Sequence, residues 1–318
     1  MCFYELISSI RKTVNKELKK LSLPNNPKYL YDPIRYTLNG AGKRFRPILV
    51  HLTGRALKED TDSLMKIALA VELVHNFTLI HDDIMDNDDM RHGQLSIHSK
   101  WDNSTAILAG DGIFAIAQIL LCSLPNQVNQ ICRFFNQTTL EVCEGQALDK
   151  QFENDSNITE EEYLEMVEKK TGALLGACAA LPAILKNQEN TNINQLSEFG
   201  RAIGKGFQLH DDLLEIYGDP MKMGKSLGSD ITEGKQTIMA IKARKKFPNE
   251  WKSMITKSVE LDNFKNFRDF FEKSGIKNET EIMAKTYFTL ARETINDINI
   301  LNGIELNSFV DIIEKRTF

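Results

Sequence analysis

The sequence has few cysteines and no long apolar run. Its five cysteines are odd in number and include no C-x-x-C pair, which argues against both a disulfide framework and a structural zinc site. The best candidates for a membrane span, 112–124 and 171–185, are shorter than the ~20 residues that cross a bilayer, and Pro182 interrupts the second. The sequence therefore predicts reduced thiols and no transmembrane helix.

The sequence also lacks a large excess of charge of either sign. Its 39 basic and 44 acidic side chains give a net charge of −5, which does not suggest a surface for nucleic acid or anionic lipid. The N-terminal twenty residues lack the apolar core of a signal peptide, and Glu5 and Glu17 weaken a transit-peptide reading. We therefore expect a cytoplasmic protein that binds no nucleic acid and does not insert stably into membranes.

Apolar residues recur at helical spacing along most of the chain, and no run alternates as a strand does. A first helix is predicted from Phe3 to about Leu21, where PNNP at 24–27 stops it. Thr159 and Glu162 form a capping box before another helix. Longer helices are predicted at 61–86, 126–151 and 191–217, with breaks near Pro125, Pro182, Pro220 and Pro248. Because no linker or repeat divides the chain, we predict an all-α bundle in which 1–318 form a single domain.

Two acidic clusters, HDDIMD at 81–86 and HDDLLE at 210–215, each follow an apolar helical run. Like charges four residues apart on a helix cost about 0.2–0.5 kcal/mol per pair, and more when they are partly buried. A cation is therefore expected beside each cluster. Carboxylate ligands favour a hard ion such as Mg²⁺, which typically shares its coordination with substrate phosphates. The pair of clusters predicts that a polyphosphate is held through shared metal ions.

Other interpretations of these clusters are less favourable. A single DDxxD is more often a solvated helix face, but a matched pair favours a metal site. An EF-hand loop starting at Asp86 would place Arg91 where the turn glycine belongs. His81 and His210 precede the two aspartate pairs, yet no helix carries two histidines four residues apart, so they are expected to pack or to support the ligands.

Basic segments accompany the acidic ones, as phosphate binding would require. GAGKRFRP at 40–47 places three cations after two glycines, although it lacks the P-loop pattern. Further cations occur at Arg91, at Lys169 and Lys170, and in the Gly-rich segment 218–235. Each alone is typical of a solvated surface. Together they indicate direct contacts with phosphate oxygens.

Taken in order, GAGKRFRP, HDDIMD, KKTGALLGA, GFQLHDDLLEIYGD and GKSLGSDITEGK closely resemble the motifs of the trans-isoprenyl diphosphate synthases over residues 35–245. The resemblance implies the isoprenoid synthase fold with a central active-site cavity, and a homodimer. It also implies a transferase that joins isopentenyl diphosphate to dimethylallyl, geranyl or farnesyl diphosphate. The cofactor implied is Mg²⁺, with three ions when diphosphate is bound and Mn²⁺ able to substitute.

The resemblance assigns roles to individual residues. The implied metal ligands, direct or through water, are Asp82, Asp83, Asp86, Asp211, Asp212 and Glu215. The allylic diphosphate would be held by Arg91, Lys170, Lys225 and Lys235, and the isopentenyl diphosphate by Lys43, Arg46, His75 and His92. Thr171 and Gln208 would face the allylic carbons, so that Arg91, Lys170, Thr171 and Gln208 form the catalytic set. The implied reaction ionises the allylic diphosphate, condenses the cation with the second substrate and eliminates a proton.

Two positions depart from the family pattern. His92 stands where a second arginine is usual, which removes a permanent charge and a bidentate donor, so we expect weaker isopentenyl diphosphate binding. Glu215 replaces a third aspartate and keeps the charge. Because both departures occur at binding positions, a non-catalytic partner subunit remains an alternative to a self-sufficient enzyme. A terpene synthase is disfavoured, since DDLLEIYGD lacks the Asn, Ser/Thr and Glu pattern of its second metal motif.

Product length is expected to depend on the helix before Asp82. Phe77 lies five residues earlier, about 7.5 Å along the axis at 1.5 Å per residue, and the resemblance associates an aromatic residue there with short products. Val74 and Thr78 are the neighbouring candidates. Thr78 is smaller than the residue in many farnesyl synthases, so products of 15 and 20 carbons both remain open. Phe77 as an ordinary core residue is the alternative.

Overall fold

Helices dominate the computed structural model of the chain, which describes residues 2–40, 42–59, 61–218, 235–261, 264–298 and 303–316. The α-helices up to the middle of the chain are α1 Phe3–Lys19, α2 Lys28–Leu38, α3 Phe45–Ala56, α4 Thr61–Asp86, α5 Ile97–Lys100, α6 Asn103–Cys122 and α7 Val128–Phe152. Those that follow are α8 Glu160–Val167, α9 Ala173–Leu185, α10 Asn190–Tyr217, α11 Ile238–Lys246, α12 Pro248–Leu261, α13 Phe264–Lys273, α14 Ile276–Asn296 and α15 Ile304–Glu314. The all-α prediction is confirmed.

The helix limits follow the sequence signals closely. The three long helices predicted at 61–86, 126–151 and 191–217 are α4, α7 and α10. Thr159 caps α8 as predicted, because its hydroxyl accepts from Glu162 N at 3.2 Å while Glu162 bonds back to Thr159 N at 2.9 Å. Pro182 does not break α9, which continues to Leu185.

One short hairpin was not predicted. Strand β1, Met90–Arg91, pairs antiparallel with β2, Gln94–Leu95. Two-residue strands are too short to show alternation in a sequence. The loop between them, His92 and Gly93, has φ of 52° and 78°, the pair of positive φ angles that a tight two-residue hairpin of type I′ requires.

Chain contacts divide the molecule into two compact units. Unit 1 comprises Met1–Gln137, Ala177–Asn194 and Ile300–Leu306, and unit 2 comprises Thr138–Gly176, Gln195–Asn299 and Asn307–Phe318. In unit 1, α4 packs mainly on α6 and α3, and residues 67–74 of α4 are buried on all sides. The expectation of a single domain over 1–318 stays a prediction.

Unit 2 brings helix backbones into close contact through glycine. A Cβ added to Gly145 would lie 2.2 Å from Lys170 N, and one added to Gly204 would lie 2.5 Å from Gly172 Cα. Side chains at these positions would therefore push the helices apart. An aromatic cluster of Trp251, Phe267 and Phe271 packs the helices after α11.

Two helices in the described part of the chain are long and apolar enough to cross a membrane, judged by length and composition alone: α4 and α6. The apolar window of α4 is 67% buried and that of α6 is 39% buried. A core helix of a soluble protein passes the same test, so this finding is weak evidence for a membrane span. All five cysteines are free, as expected.

Candidate active site

The first acidic motif forms the last turn of α4 in unit 1. Asp82 and Asp86 stand about one turn apart and are partly exposed, whereas Asp83 is only 4% exposed. The end of a helix carries a partial negative charge from its unpaired carbonyl groups, and this turn contains no basic residue to offset it. Three carboxylates in this position therefore require a cation from outside the helix.

Arg91 on β1 supplies one such cation. Its Nε donates to Asp83 Oδ1 at 2.7 Å, its Nη2 bonds to the same oxygen, and Nη2 also reaches Asp88 Oδ2 at 3.0 Å. Burial raises the pKa of Asp83, while the hydrogen bonds from Arg91 oppose that rise. Burial would lower the pKa of Arg91, but its bonds to Asp83 raise it. The result is an ion pair for which a bound diphosphate would compete.

An arginine and a histidine, both partly buried, are in contact in the same unit. Arg46 Nη1 is 3.1 Å from His75 Nε2. Burial lowers the pKa of His75 well below its usual value, and the charge of Arg46 lowers it further. Because a guanidinium can only donate, His75 Nε2 is the acceptor of this bond. Burial also lowers the pKa of Arg46, whose Nε has no hydrogen-bond partner among the described residues. A guanidinium with a buried, unused donor favours an anionic ligand.

Five residues predicted to bind diphosphate lie close enough in unit 1 for their charges to affect one another's pKa values. Desolvation lowers the pKa of His92, and the positive charges of Arg91, Arg44 and Lys43 lower it further. The negative charge of Glu72 opposes this shift. The charges of Arg46, His92 and Arg91 in turn act on His75. Within unit 1 the structure thus brings together Lys43, Arg46, His75, Arg91 and His92.

Arg44 has a structural position within this cluster. It is buried, has φ of 57° and precedes α3. Its guanidinium donates to Glu72 Oε1 at 2.5 Å, to Gly40 O at 2.7 Å and to Asn15 Oδ1 at 2.8 Å. Because protein acceptors use these donors, Arg44 fixes the loop that carries Lys43 and differs from Arg46, which keeps a donor unused.

The second acidic motif lies on α10 in unit 2. Asp211 is 37% exposed at its side chain and forms an ion pair with Arg316, which follows α15. The Arg316 guanidinium also stacks over the Phe207 ring, 4.0 Å from its centroid, and burial lowers the Arg316 pKa to about 10. Glu215, one turn from Asp211, is buried. A basic side chain of the protein therefore lies beside the partly exposed aspartate of this motif.

Asp212 is surrounded by hydrogen-bond donors. It is 5% exposed, and its Oδ2 accepts from Tyr163 Oη at 2.6 Å and from Ile238 N at 3.0 Å. Gln208 Nε2 reaches its other oxygen at 3.4 Å, and Thr171 Oγ1 donates to Gln208 Oε1 at 3.3 Å. The predicted catalytic pair, Thr171 and Gln208, is thus in contact and is linked to the acidic motif.

Lys170 and Thr171 lie in a π-helical turn, Glu168–Gly172, that joins α8 to α9. Such turns occur frequently at functional sites because they displace side chains from regular helical positions. Lys170 Nζ is 2.5 Å from Asp149 Oδ2 on α7. Gly145 on the same helix allows the close approach, since a Cβ there would meet the Lys170 backbone.

The donor chemistry fits a hard divalent cation that a ligand helps to bind. Asp82, Asp86 and Asp211 present carboxylate oxygens with partial exposure. Within the described ranges, no three His, Cys, Asp or Glu side chains converge to hold an ion by themselves. Mg²⁺ usually takes one or two carboxylates and completes its shell with water and substrate phosphates. The expectation that the two motifs share metal ions stays a prediction.

The remaining predicted residues are placed as follows. Lys225 lies outside the described residues, and Lys235 precedes the Thr237 cap of α11 by two positions. Phe77 packs against the rings of Phe114, 5.6 Å between centroids, and His81, 4.8 Å. Thr78 Oγ1 bonds to the backbone of the preceding turn, and Val74 is fully buried.

Four residues that the sequence did not single out hold the predicted residues or the loop that carries Lys43: Glu72, which contacts Arg44, and Asp149, Tyr163 and Arg316. Each of these contacts joins residues at least 21 positions apart in the sequence. Local patterns carry no signal for such pairings. A buried carboxylate in an otherwise apolar helical run, as at Glu72 in α4, is the one local hint, because it requires a partner.

Comparisons with known proteins agree with these features. The family model described as polyprenyl synthetase matches residues 27–270. The chain is 44% identical over 309 residues to a geranylgeranyl pyrophosphate synthase of Geoglobus acetivorans, covering 93% of each chain. It is 41% identical over 267 residues to a geranylgeranyl diphosphate synthase of Methanosarcina mazei, covering 83% of this chain and 79% of the relative. The crystal structure of geranylgeranyl pyrophosphate synthetase from Pyrococcus horikoshii OT3 superposes with a TM-score of 0.90 at 31% identity, covering 99% and 98% of the two chains.

Proposed function

Because the chain belongs to the polyprenyl synthetase family, we propose that it is a Mg²⁺-dependent prenyltransferase that condenses isopentenyl diphosphate with allylic diphosphates. The product is a short-chain trans-prenyl diphosphate of 15 to 20 carbons. Dimethylallyl, geranyl and farnesyl diphosphates are the allylic substrates.

The observation that carries this proposal is the mixture of charges in unit 1. Partly exposed carboxylates at the end of α4 lie in the same unit as Arg46, whose buried Nε has no hydrogen-bond partner among the described residues, and as the Arg91–Asp83 ion pair. A metal-bound diphosphate presents both signs of charge, so it needs carboxylates for its metal and cations for its oxygens. A plain anion site would not need the aspartates.

Each motif supplies metal ligands in this proposal. Asp82, Asp86, Asp211 and Glu215 are the carboxylates that bind the ions, and Asp83 and Asp212 support them. When bound, the metal ions neutralise negative charge on the departing diphosphate. Mn²⁺ is expected to replace Mg²⁺, since both accept oxygen ligands.

The chain's own residues hold the two substrates. The allylic diphosphate oxygens are bound by Arg91, Lys170, Lys225 and Lys235, and those of isopentenyl diphosphate by Lys43, Arg46, His75 and His92. When the allylic diphosphate binds, Arg91 leaves Asp83 and Lys170 leaves Asp149. Each cation then pairs with phosphate oxygens instead. A charge-assisted bond to diphosphate is stronger than one between neutral groups.

The reaction then requires a space in which apolar helix walls shield a carbocation from water. The allylic C–O bond breaks and its electron pair leaves with the diphosphate. Thr171 and Gln208, already hydrogen-bonded to each other, present oxygen atoms to the positive allylic carbons. The double bond of isopentenyl diphosphate forms the new C–C bond, and a proton passes to the released diphosphate, so no protein base is consumed.

The relatives favour the longer end of the product range. Two relatives and the solved structure described above are named geranylgeranyl diphosphate synthases. Phe77 packs with Phe114 on α6, and we expect this aromatic pair to stop the growing chain. Geranylgeranyl diphosphate, with 20 carbons, is therefore the expected main product.

The enzyme is proposed to act as a soluble homodimer. On α6, Leu108 and Ile119 are 46% and 68% exposed and lie on one helix face with Ala115. An exposed apolar stripe on a long helix favours a second copy of the chain as its partner. Ile119→Lys should convert the dimer to a monomer, as measured by light scattering after gel filtration without detergent.

Incubating the purified chain alone with isopentenyl and dimethylallyl diphosphates tests the function. Mass spectrometry should detect 15- and 20-carbon prenyl diphosphates with Mg²⁺ and none after chelation by EDTA. A partner subunit would yield no elongated diphosphate, and a terpene synthase would release hydrocarbons; either result would contradict the proposal.

A further inference from the structure

We propose that Asp212 is a positioning residue and not a metal ligand, and that Tyr163 acts with it to fix the start of α11 for allylic diphosphate binding by Lys235. The inference rests on the proposed function only in its last step, the role of Lys235. The anchoring of α11 stands on contacts within unit 2.

The hydrogen bonds of Asp212 occupy both of its oxygens. Tyr163 Oη donates at 2.6 Å and Ile238 N at 3.0 Å to Oδ2, and Gln208 Nε2 lies 3.4 Å from Oδ1. Tyr163 is 2% exposed. A metal ion on Oδ2 would compete with a buried phenol and a buried amide, and either donor would be left without an acceptor and without water. Direct coordination through Oδ2 is therefore unfavourable.

The amide that Asp212 accepts belongs to the first residue of α11. The first N–H groups of a helix have no partner within the helix, and a carboxylate there also interacts favourably with the helix dipole. Thr237 caps the same end, since its hydroxyl accepts from Ala240 N at 3.3 Å. Asp212 and Thr237 together satisfy two of these groups, and Lys235 lies three residues before Ile238.

A second contact holds α11 to the helix that carries Tyr163. Lys242, 6% exposed, donates to Glu160 Oε2 at 2.7 Å on α8. Both ends of this attachment are charged and largely buried, so α8 and α11 are held together at two points. The path from Tyr163 through Asp212 to Ile238 is therefore part of a fixed arrangement of α8, α10 and α11.

Asp211, the preceding residue of the motif, differs from Asp212. Asp211 is 37% exposed at its side chain, and Arg316, a single cation, is its partner in the described contacts. A metal ion can take the place of Arg316 as the cation beside Asp211. It cannot take the place of the phenol and the backbone amide that donate hydrogen bonds to Asp212. The structure thus separates a metal-binding aspartate from a positioning aspartate at neighbouring positions.

Three variants test this separation: Tyr163→Phe, Asp212→Asn and Asp211→Asn. We expect Tyr163→Phe to raise the KM for the allylic substrate about fivefold, as the loss of one buried hydrogen bond implies, with the Mg²⁺ activation constant changed less than twofold. Asp212→Asn keeps an acceptor for Ile238 N and should resemble Tyr163→Phe. Asp211→Asn should raise the Mg²⁺ activation constant at least about tenfold.

Tyr29→Phe is a matched control. Tyr29 Oη also bonds to an aspartate that caps a helix, Asp102 before α6, at 3.1 Å, but Tyr29 is 51% exposed. Its loss should change neither constant. If Tyr29→Phe raises the allylic KM as much as Tyr163→Phe does, the proposed path through Asp212 is wrong.

Hydrogen–deuterium exchange of the peptide 235–246, measured without substrate, decides the anchoring step independently of any activity. Tyr163→Phe and Asp212→Asn should accelerate its exchange at least about threefold, and Asp211→Asn should not. Unchanged exchange in both variants, or a Mg²⁺ constant raised by Asp212→Asn as far as by Asp211→Asn, would overturn the proposal. A wild-type chain that exchanges as predicted but makes no prenyl diphosphate would refute the proposed function and leave the anchoring intact.

Discussion

The two acidic motifs share a sequence pattern but hold their middle aspartates differently. Asp83 in unit 1 and Asp212 in unit 2 are 4% and 5% exposed. Asp83 is paired with the charged and partly exposed Arg91, whereas Asp212 is paired with a neutral phenol and a backbone amide. The Arg91 side chain can move to another anion. The phenol and the amide that bond to Asp212 are part of the protein interior.

Carboxylates of the acidic motifs can therefore differ in their partners: one kind has a cation that a ligand can replace, and the other has hydrogen-bond donors that stay in place. Arg91 and Arg316 neutralise Asp83 and Asp211, so these carboxylates are stabilised before any metal binds. Exchanging one counter-charge for another costs less than exposing a buried charge without a partner. Residues with exchangeable cations are therefore suited to ligand binding, and residues with internal donors are suited to positioning.

The largest effect is expected from the exposed aspartates of both motifs. Asp82→Asn and Asp211→Asn should each lower kcat/KM by about 10²–10³, the range found when a group that stabilises transition-state charge is removed. Steady-state kinetics at saturating Mg²⁺ measures the loss.

Asp89→Asn is the control for that series. Asp89 is exposed and accepts from Ser99 Oγ at 2.6 Å, and it lies outside the matching motif positions. Its kcat/KM should stay within twofold of the wild-type value. A large loss in Asp89→Asn, or none in Asp82→Asn, would mean that the carboxylates act through net charge alone.

The next effect concerns stability and compares the middle aspartates directly. Asp212→Ala should lower the free energy of unfolding by about 2–3 kcal/mol, because it leaves a buried hydroxyl and a buried amide without an acceptor. Asp83→Ala should cost about 1 kcal/mol or less, since Arg91 is partly exposed and keeps Asp88 as a partner. Urea denaturation gives both values. Equal losses would remove the distinction between the two kinds of carboxylate.

A smaller effect is expected at the hairpin. Desolvation and the charge of Arg91 lower the pKa of His92, which favours its neutral form, and His92→Arg adds a permanent positive charge. The KM for isopentenyl diphosphate should fall about tenfold, which corresponds to ~1.4 kcal/mol, while the KM for the allylic substrate should change little. An unchanged or higher KM for isopentenyl diphosphate would show that position 92 does not contact this substrate.

The smallest change in rate, but a clear change in product, is expected at Phe77. Phe77→Ala opens space beside Phe114 and should shift the products beyond 20 carbons, as read by chromatography. Thr78→Ala should shift them less, because Thr78 Oγ1 is bonded to the His75 carbonyl group. The same product distribution in both variants as in the wild type would show that Phe77 is an ordinary packing residue.

Much of the fold could be predicted because its signals are local. The limits of α4, α7 and α10 and the Thr159 cap follow from apolar spacing and capping chemistry. The hairpin at Met90–Leu95 could not be predicted, because its strands have two residues each. The π-helical turn at Glu168–Gly172 depends on the approach of Gly145, 25 residues from Lys170, and so has no local pattern.

The site was predictable in its residue types but not in its partners. Spacing located the carboxylates and cations, whereas Tyr163, Arg316 and Asp149 became visible through contacts between distant helices. Sequence pattern treats Asp211 and Asp212 alike. The two residues differ in burial. Burial depends on the tertiary structure, so the sequence pattern could not distinguish them.

We propose that metal ions bound by both acidic motifs are required for allylic diphosphate binding. Calorimetric titration with a thiodiphosphate analogue, which binds without ionising, measures this directly. We expect tight binding with Mg²⁺, and binding weaker by at least about tenfold, or ~1.4 kcal/mol, in EDTA, in Asp82→Asn and in Asp211→Asn. Affinity that is the same with and without Mg²⁺, or unchanged in either variant, would contradict it.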